Sequence, residues 1–157
     1  MTGILNRRAV FAFGNQLAAL RSDDRPALSI LMIDVEHLKE INDVNGHQSG
    51  DQVLTEVSEL LTSAVRSGDV VGRYGGDEFL AILIGGEPSD TDAICERILS
   101  GMRDARFSSS RGEIAVSVSI GISELSPSEN DLCEVLGRAD HALYESKRHG
   151  RATFTRA

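Results

Sequence analysis

The segment VVGRYGGDEFLAILI, residues 70–84, sets two adjacent carboxylates, Asp77 and Glu78, at the mouth of an apolar hairpin. Neighbouring side chains of an extended strand face opposite ways, and like charges at a tight turn repel. A divalent ion with oxygen ligands removes that cost. A third carboxylate, Asp34, ends the continuous apolar run ALSILMI, residues 27–33. If the hairpin lies beside that run, Asp34, Asp77 and Glu78 converge on one or two hard cations, and metal-assisted chemistry at phosphate follows. The competing reading is an exposed turn with ordinary acids. Gly75 and Gly76 beside a dense apolar strand favour the site, because a Cβ there would crowd an incoming ligand.

Other residues suit a phosphate-bearing ligand. Asp34 precedes the helical pattern EHLKEINDVNG, so the amides of Glu36, His37, Leu38 and Lys39 are expected to be unpaired first-turn donors. A plain N-cap role for Asp34 fits the local pattern equally well. Lys147 and Arg151 are four apart at the end of the last helical stretch, where a helix sets both on one side. The helix dipole is an ordinary reason for cations there. Asn42 and Asp51 bracket the loop NDVNGHQSGD. A carboxylate can accept two N–H bonds from guanine and an amide can read its other polar atoms, although both types are also common turn residues. Among 16 basic residues only Lys39 and Lys147 are lysines.

These positions need a scaffold. The pattern predicts a first helix with Val10, Phe13, Leu17 and Leu20 on one face, broken by Pro26. It predicts a central strand at 27–33, a short helix closed by Gly46, and a helix starting at Asp51 with Val53, Val57, Leu60, Leu61 and Ala64 buried. A Gly-Gly hairpin follows, then a helix over 91–105 with Ile94, Ile98 and Met102 inward. EIAVSVSIGIS, 113–123, alternates as one strand whose small face (Ala115, Ser117, Ser119, Gly121) suits a closely packed helix. The last helix spans about 131–148, with Leu132, Val135, Leu136, Ala139 and Leu143 inward, and RATFT forms an edge strand. Interleaved helices and adjacent strands imply an α/β sandwich on a mixed sheet.

The chain has 157 residues, enough for one domain spanning 1–157 with a full core. A net charge of −8 argues against a nucleic-acid partner. No apolar run is long enough to span a membrane, and MTGILNRRAV lacks the apolar centre of a signal peptide. Cys95 and Cys133 read as reduced core thiols of a cytoplasmic protein.

Five segments in order, TGILNRR, IDVEHLKEINDVNGHQSGD, RYGGDEF, VSIGI and RADHALYESKRHGR, resemble the GGDEF-domain diguanylate cyclases over residues 2 to about 154. The resemblance implies a mostly antiparallel mixed sheet wrapped by helices, similar to the palm of nucleotidyl cyclases and polymerases. It implies Mg²⁺-dependent condensation of two GTP into cyclic di-GMP and two pyrophosphates (Mn²⁺ being a possible substitute), across the interface of a homodimer. Asp34, Asp77, Glu78 and the Val35 carbonyl would hold metal. Asp77 would be the base for the 3′-hydroxyl. Asn42 and Asp51 would read guanine. Lys39, Lys147 and Arg151, with the amides of His37, Leu38 and Lys39, would hold the triphosphate. Arg66 and Asp69 of RSGD, with Arg97, match a site at which the product inhibits many members.

Some positions depart from the family pattern. Glu36 stands where Asp is common, Leu38 replaces a Phe, Asn45 an aromatic, and Ser146 and Ala152 an Ala and an Asn. Met1 stands in for a Leu, and the acid usual before it is missing. The chain is therefore expected to be a fragment of a longer protein, or else a short one, without an upstream sensory or dimerising region, through which alone a membrane would be met. A non-catalytic module that binds GTP or cyclic di-GMP is the alternative; the intact Gly75–Phe79 motif favours the enzyme.

Overall fold

The computed structural model describes residues 4–21 and 23–157. Thr2 and Gly3 of the first motif, and Met1 with its departure, lie outside them. A five-stranded sheet has the order β2-β3-β1-β6-β7. Its central strand β1, Leu28–Val35, is buried at every position. Leu31 and Ile33 enter one core and Ile30 and Met32 the other, so both faces are covered and the apolar run is unbroken. The hairpin expected around Gly75-Gly76 is β2, Val70–Arg73, and β3, Glu78–Ile84, and β3 pairs antiparallel with β1. On the other side β1 pairs antiparallel with β6, Val118–Glu124, which pairs parallel with the edge strand β7, Phe154–Arg156. The sheet is thus mixed and mostly antiparallel, as expected.

Helices cover both faces. One core packs α2, Leu38–Asn45, α3, His47–Ala64, and α4, Pro88–Asp104, against the sheet. The other packs α1, Arg7–Ala18, and α5, Cys133–Arg148. The small face of β6 seats α5: a Cβ on Gly121 would lie 2.0 Å from the Ala139 carbonyl and 2.3 Å from the Leu143 amide. Arg25 ties the end of α1 to the loop before α5 by donating to the carbonyls of Ala18 and Ser126, both at 2.8 Å. Arg138 holds the Glu129 carboxyl in that loop at a pKa of about 2.

Several expectations are corrected. α3 starts at His47, not Asp51, and Gly46, at φ 85°, is the whole connection from α2. Leu20 lies beyond the end of α1 and is exposed. The single strand expected over 113–123 is two. β5, Gly112–Ile114, pairs with β4, Phe107–Ser109, in a separate small sheet, and only β6 joins the main one. Cys95 is a core thiol pushed up to about 12 by burial, but Cys133 is exposed. Among the described residues no helix is long and apolar enough to cross a membrane.

Candidate active site

The carboxyl end of β1 and the tip of the β2–β3 hairpin form one acidic centre. Register places Asp34 directly opposite Glu78 on β3 and Ser119 on β6. The Val35 amide donates to the Asp77 carbonyl at 2.9 Å, which fixes the tip to the strand end. The turn is closed by the amides of Tyr74 and Gly75 on the Glu78 carbonyl, at 2.8 and 3.1 Å. Arg73 braces it by donating to the carbonyls of Gly75 and Gly76, at 3.1 and 2.6 Å. A Cβ on Gly75 would lie 2.6 Å from Glu78 Oε2, so that glycine makes room for the site's own carboxylate. Nothing lies within 4 Å of a Cβ on Gly76, which leaves open space above the turn.

The charges are crowded. Burial pushes the Asp34 carboxyl above its ordinary range; Lys147 opposes this, and Asp77 and Glu36 add to it. Glu78 is pushed up by burial and by Asp34, Asp77 and Asp140. A hard dication would relieve this repulsion. Among the described residues no three acidic, histidine or cysteine side chains cluster closely enough to hold an ion alone. The carboxylates of Asp34, Asp77 and Glu78 are hard oxygen donors at this centre, but they do not enclose an ion by themselves. This fits Mg²⁺, which takes few protein ligands and completes its shell with water and phosphate oxygens.

Cations approach from the end of α5. Lys147 Nζ lies 2.9 Å from Asp34 Oδ1. Arg151 Nε lies 3.0 Å from Glu36 Oε2. Helical spacing does not bring these two cations together, because α5 ends at Arg148 and Arg151 sits in the left-handed region at φ 61°. His37, Arg151 and Ala152 are the non-glycine residues with positive φ among the described residues. Arg151 itself makes the Glu36 contact, and His37 and Ala152 each follow one of its partners; such strain persists where the surroundings impose it, commonly at functional sites.

Asp34 is not an N-cap. The cap of α2 is His37, at φ 59° with no side-chain cap bond, so the first-turn amides of α2 have no partner from that source. The Glu36 amide, expected to be free, instead donates to the Ser117 carbonyl at 2.9 Å. Lys39 is exposed on the first turn of α2. Asn42 and Asp51 do not bracket a loop: Asn42 is on α2, and Asp51 is exposed in the second turn of α3. Packing of the two helices nonetheless brings them near each other, since a Cβ on Gly50 would lie 1.9 Å from Asn42 Oδ1. That oxygen is buried and has no hydrogen-bond partner, which suits a site that awaits a donor.

The RSGD residues lie away from this centre and are engaged locally. Asp69 accepts from the amides of Arg66 and Ile84, both at 2.9 Å. Arg66 pairs with Asp90 at 3.1 Å, and Arg97 on α4 donates to the Ala64 carbonyl at the end of α3. A cleft of about 540 Å³ opens beside Arg66 and Asp69. Two residues near the acidic centre escape a reading of sequence pattern as site residues. Asp140 stands two helical turns before Lys147, a spacing that signals a shared face. Glu36 gives no such signal, because its partner is far away in the chain.

The family model described as diguanylate cyclase, GGDEF domain, matches residues 1–153. The diguanylate cyclase DosC of Escherichia coli is 40% identical over 153 residues, which cover 96% of this chain and 33% of that protein. The chain spans about a third of the length of the curated relatives it matches first. The GGDEF domain of YfiN from Pseudomonas aeruginosa superposes with a TM-score of 0.92 at 31% identity, covering 100% of this chain and 98% of that one. The coiled coil and GGDEF domain of DgcB from Caulobacter crescentus, solved in complex with c-di-GMP, has a TM-score of 0.92 at 31% identity, over 99% and 83%. With these matches across both sequence and fold, the chain belongs to the GGDEF-domain family of diguanylate cyclases.

Proposed function

We propose that this chain is the catalytic domain of a diguanylate cyclase that condenses two GTP into cyclic di-GMP and releases two pyrophosphates. The observation that carries this reading is Asp34 facing Glu78 across β1 and β3, with Asp77 at the adjoining tip and Lys147 on Asp34. In each transfer a 3′-oxygen forms a bond to the α-phosphorus of the other GTP, and the bond to the β-phosphate oxygen breaks. Asp34, Asp77, Glu78 and the Val35 carbonyl would hold Mg²⁺, or Mn²⁺ in its place. When bound, the metal supplies positive charge at the reacting phosphate and lowers the cost of ionising the hydroxyl. Asp77 accepts the proton of that hydroxyl. Lys39, Lys147 and Arg151, with the amides of His37, Leu38 and Lys39, orient the triphosphate and balance charge on the departing pyrophosphate. Asn42 and Asp51 read guanine. Because one domain holds one GTP, in-line attack requires a second copy of the domain facing it.

Calorimetry tests the nucleotide assignment. GTP is expected to bind in the presence of Mg²⁺ and ATP at least about tenfold more weakly, because adenine lacks the paired donors that Asp51 accepts. Asp51→Ala is expected to erase the preference. Equal binding of both nucleotides by the unaltered chain would contradict it.

We further infer that Arg66, Asp69 and Arg97 form an inhibitory site for the product. An Arg fork suits a phosphate or the Hoogsteen edge of guanine. The open cleft beside Arg66 and the complex of the DgcB domain with c-di-GMP support this reading. Arg66→Ala is expected to raise the product concentration needed for half inhibition by about tenfold or more. An unchanged inhibition curve would refute the assignment.

A further inference from the structure

We propose that Glu36 is a positioning residue that aims Arg151 at the triphosphate, an inference that rests on reading Arg151 as a phosphate cation. Glu36 is 5% exposed, an unusual state for a glutamate that touches no reacting group. Its carboxylate is fixed on both oxygens. Ser119, fully buried on β6, donates its hydroxyl to Oε1, and Arg151 Nε lies 3.0 Å from Oε2. The Glu36 amide is itself bound to the Ser117 carbonyl. The acid is therefore anchored to the sheet, while about half of the Arg151 side chain stays exposed.

This arrangement differs from a surface ion pair, in which both partners are solvated and free to part. Burial makes an unpaired Glu36 costly, so it retains its arginine. With Nε occupied, the two terminal nitrogens of the guanidinium remain to grip phosphate as a fork. An arginine on a loop would otherwise lose much rotamer freedom on binding, and Glu36 removes most of that freedom beforehand. Arg151 and Ala152 hold φ of 61° and 49°, so the backbone alone would tend to leave this conformation. Glu36 also stands two residues after Asp34. The two acids thus receive the two cations separately, Lys147 on Asp34 and Arg151 on Glu36.

A double-mutant cycle on nucleotide affinity tests this, with 3′-deoxy-GTP and Mg²⁺ as the probe so that no turnover intervenes. Calorimetry compares the unaltered chain, Glu36→Gln, Arg151→Ala and the double variant. Each single change is expected to weaken binding about tenfold, and the double variant to bind no more weakly than Arg151→Ala. A purely structural role would weaken binding by the same factor with or without Arg151, and that result would overturn the proposal. So would unaltered affinity in Glu36→Gln. Unaltered affinity in Arg151→Ala would instead overturn the phosphate reading of Arg151, and the proposal with it. Should Glu36→Gln fail to fold, Ser119→Ala releases Oε1 and keeps both charges. It is expected to weaken binding severalfold, again only where Arg151 is present.

Discussion

Asp77→Asn is expected to leave a folded domain whose turnover of GTP falls by about a thousandfold or more. The Asp77 carbonyl, not its side chain, accepts the Val35 amide that fixes the hairpin tip, and Asn keeps that carbonyl. The side chain lies outside both apolar cores, so its loss opens no cavity. Asn nearly matches the size of Asp but takes no proton and is a poorer ligand for a hard cation. Removing a carboxylate also eases the repulsion that raises Glu78, so thermal stability should hold or rise slightly. Product chromatography beside a thermal melt separates the two effects. Full activity in this variant would remove Asp77 from the chemistry.

Gly121→Ala should instead strike the fold. The added carbon would meet the Ala139 carbonyl at 2.0 Å and the Leu143 amide at 2.3 Å, both backbone atoms of α5. A helix backbone cannot rotate aside as a side chain can, so α5 must lift from the sheet. Overpacking of this kind costs about 3 kcal/mol or more, a fall in melting temperature of roughly 6–12 °C for a domain of this size. Because α5 also carries Lys147, nucleotide affinity should fall too. Gly14→Ala supplies the contrast. Its Cβ would meet the ends of Leu132 and Ile82 at 2.4 and 2.7 Å, which are flexible side-chain tips, and alanine is the better helix former. A melt that shows Gly121→Ala no more damaging than Gly14→Ala would contradict the close seating of α5.

The acidic centre is legible in the sequence because its parts lie at strand ends and turns, which apolar runs and glycines mark. Those marks alone locate Asp34 after ALSILMI and Asp77-Glu78 after Gly75-Gly76, and register then sets Asp34 against Glu78. The small face of the segment over 113–123 likewise foretells the seat of α5. What fails depends on long-range pairing. Alternation with period two continues through 113–123, yet it cannot say which sheet a strand joins, and β5 leaves for β4. The spacing of Lys147 and Arg151 implies one helix face, whereas the helix ends between them and a left-handed turn brings Arg151 to Glu36. The Glu36 side chain counts in the sequence only as a departure from the family pattern, because neither Ser119 nor Arg151 lies near it in the chain.

On the proposed reading, the acidic centre makes a cyclic dinucleotide from GTP. The direct measurement is to incubate the purified chain at high concentration with Mg²⁺ and GTP, in parallel with ATP, and chromatograph the products. High concentration matters because the proposed in-line attack needs two copies to meet. Cyclic di-GMP from GTP, with no cyclic product from ATP, is the predicted result. Bound GTP without any cyclic di-GMP, even after a dimerising segment is fused to the chain, would contradict the enzyme and leave a nucleotide-binding module.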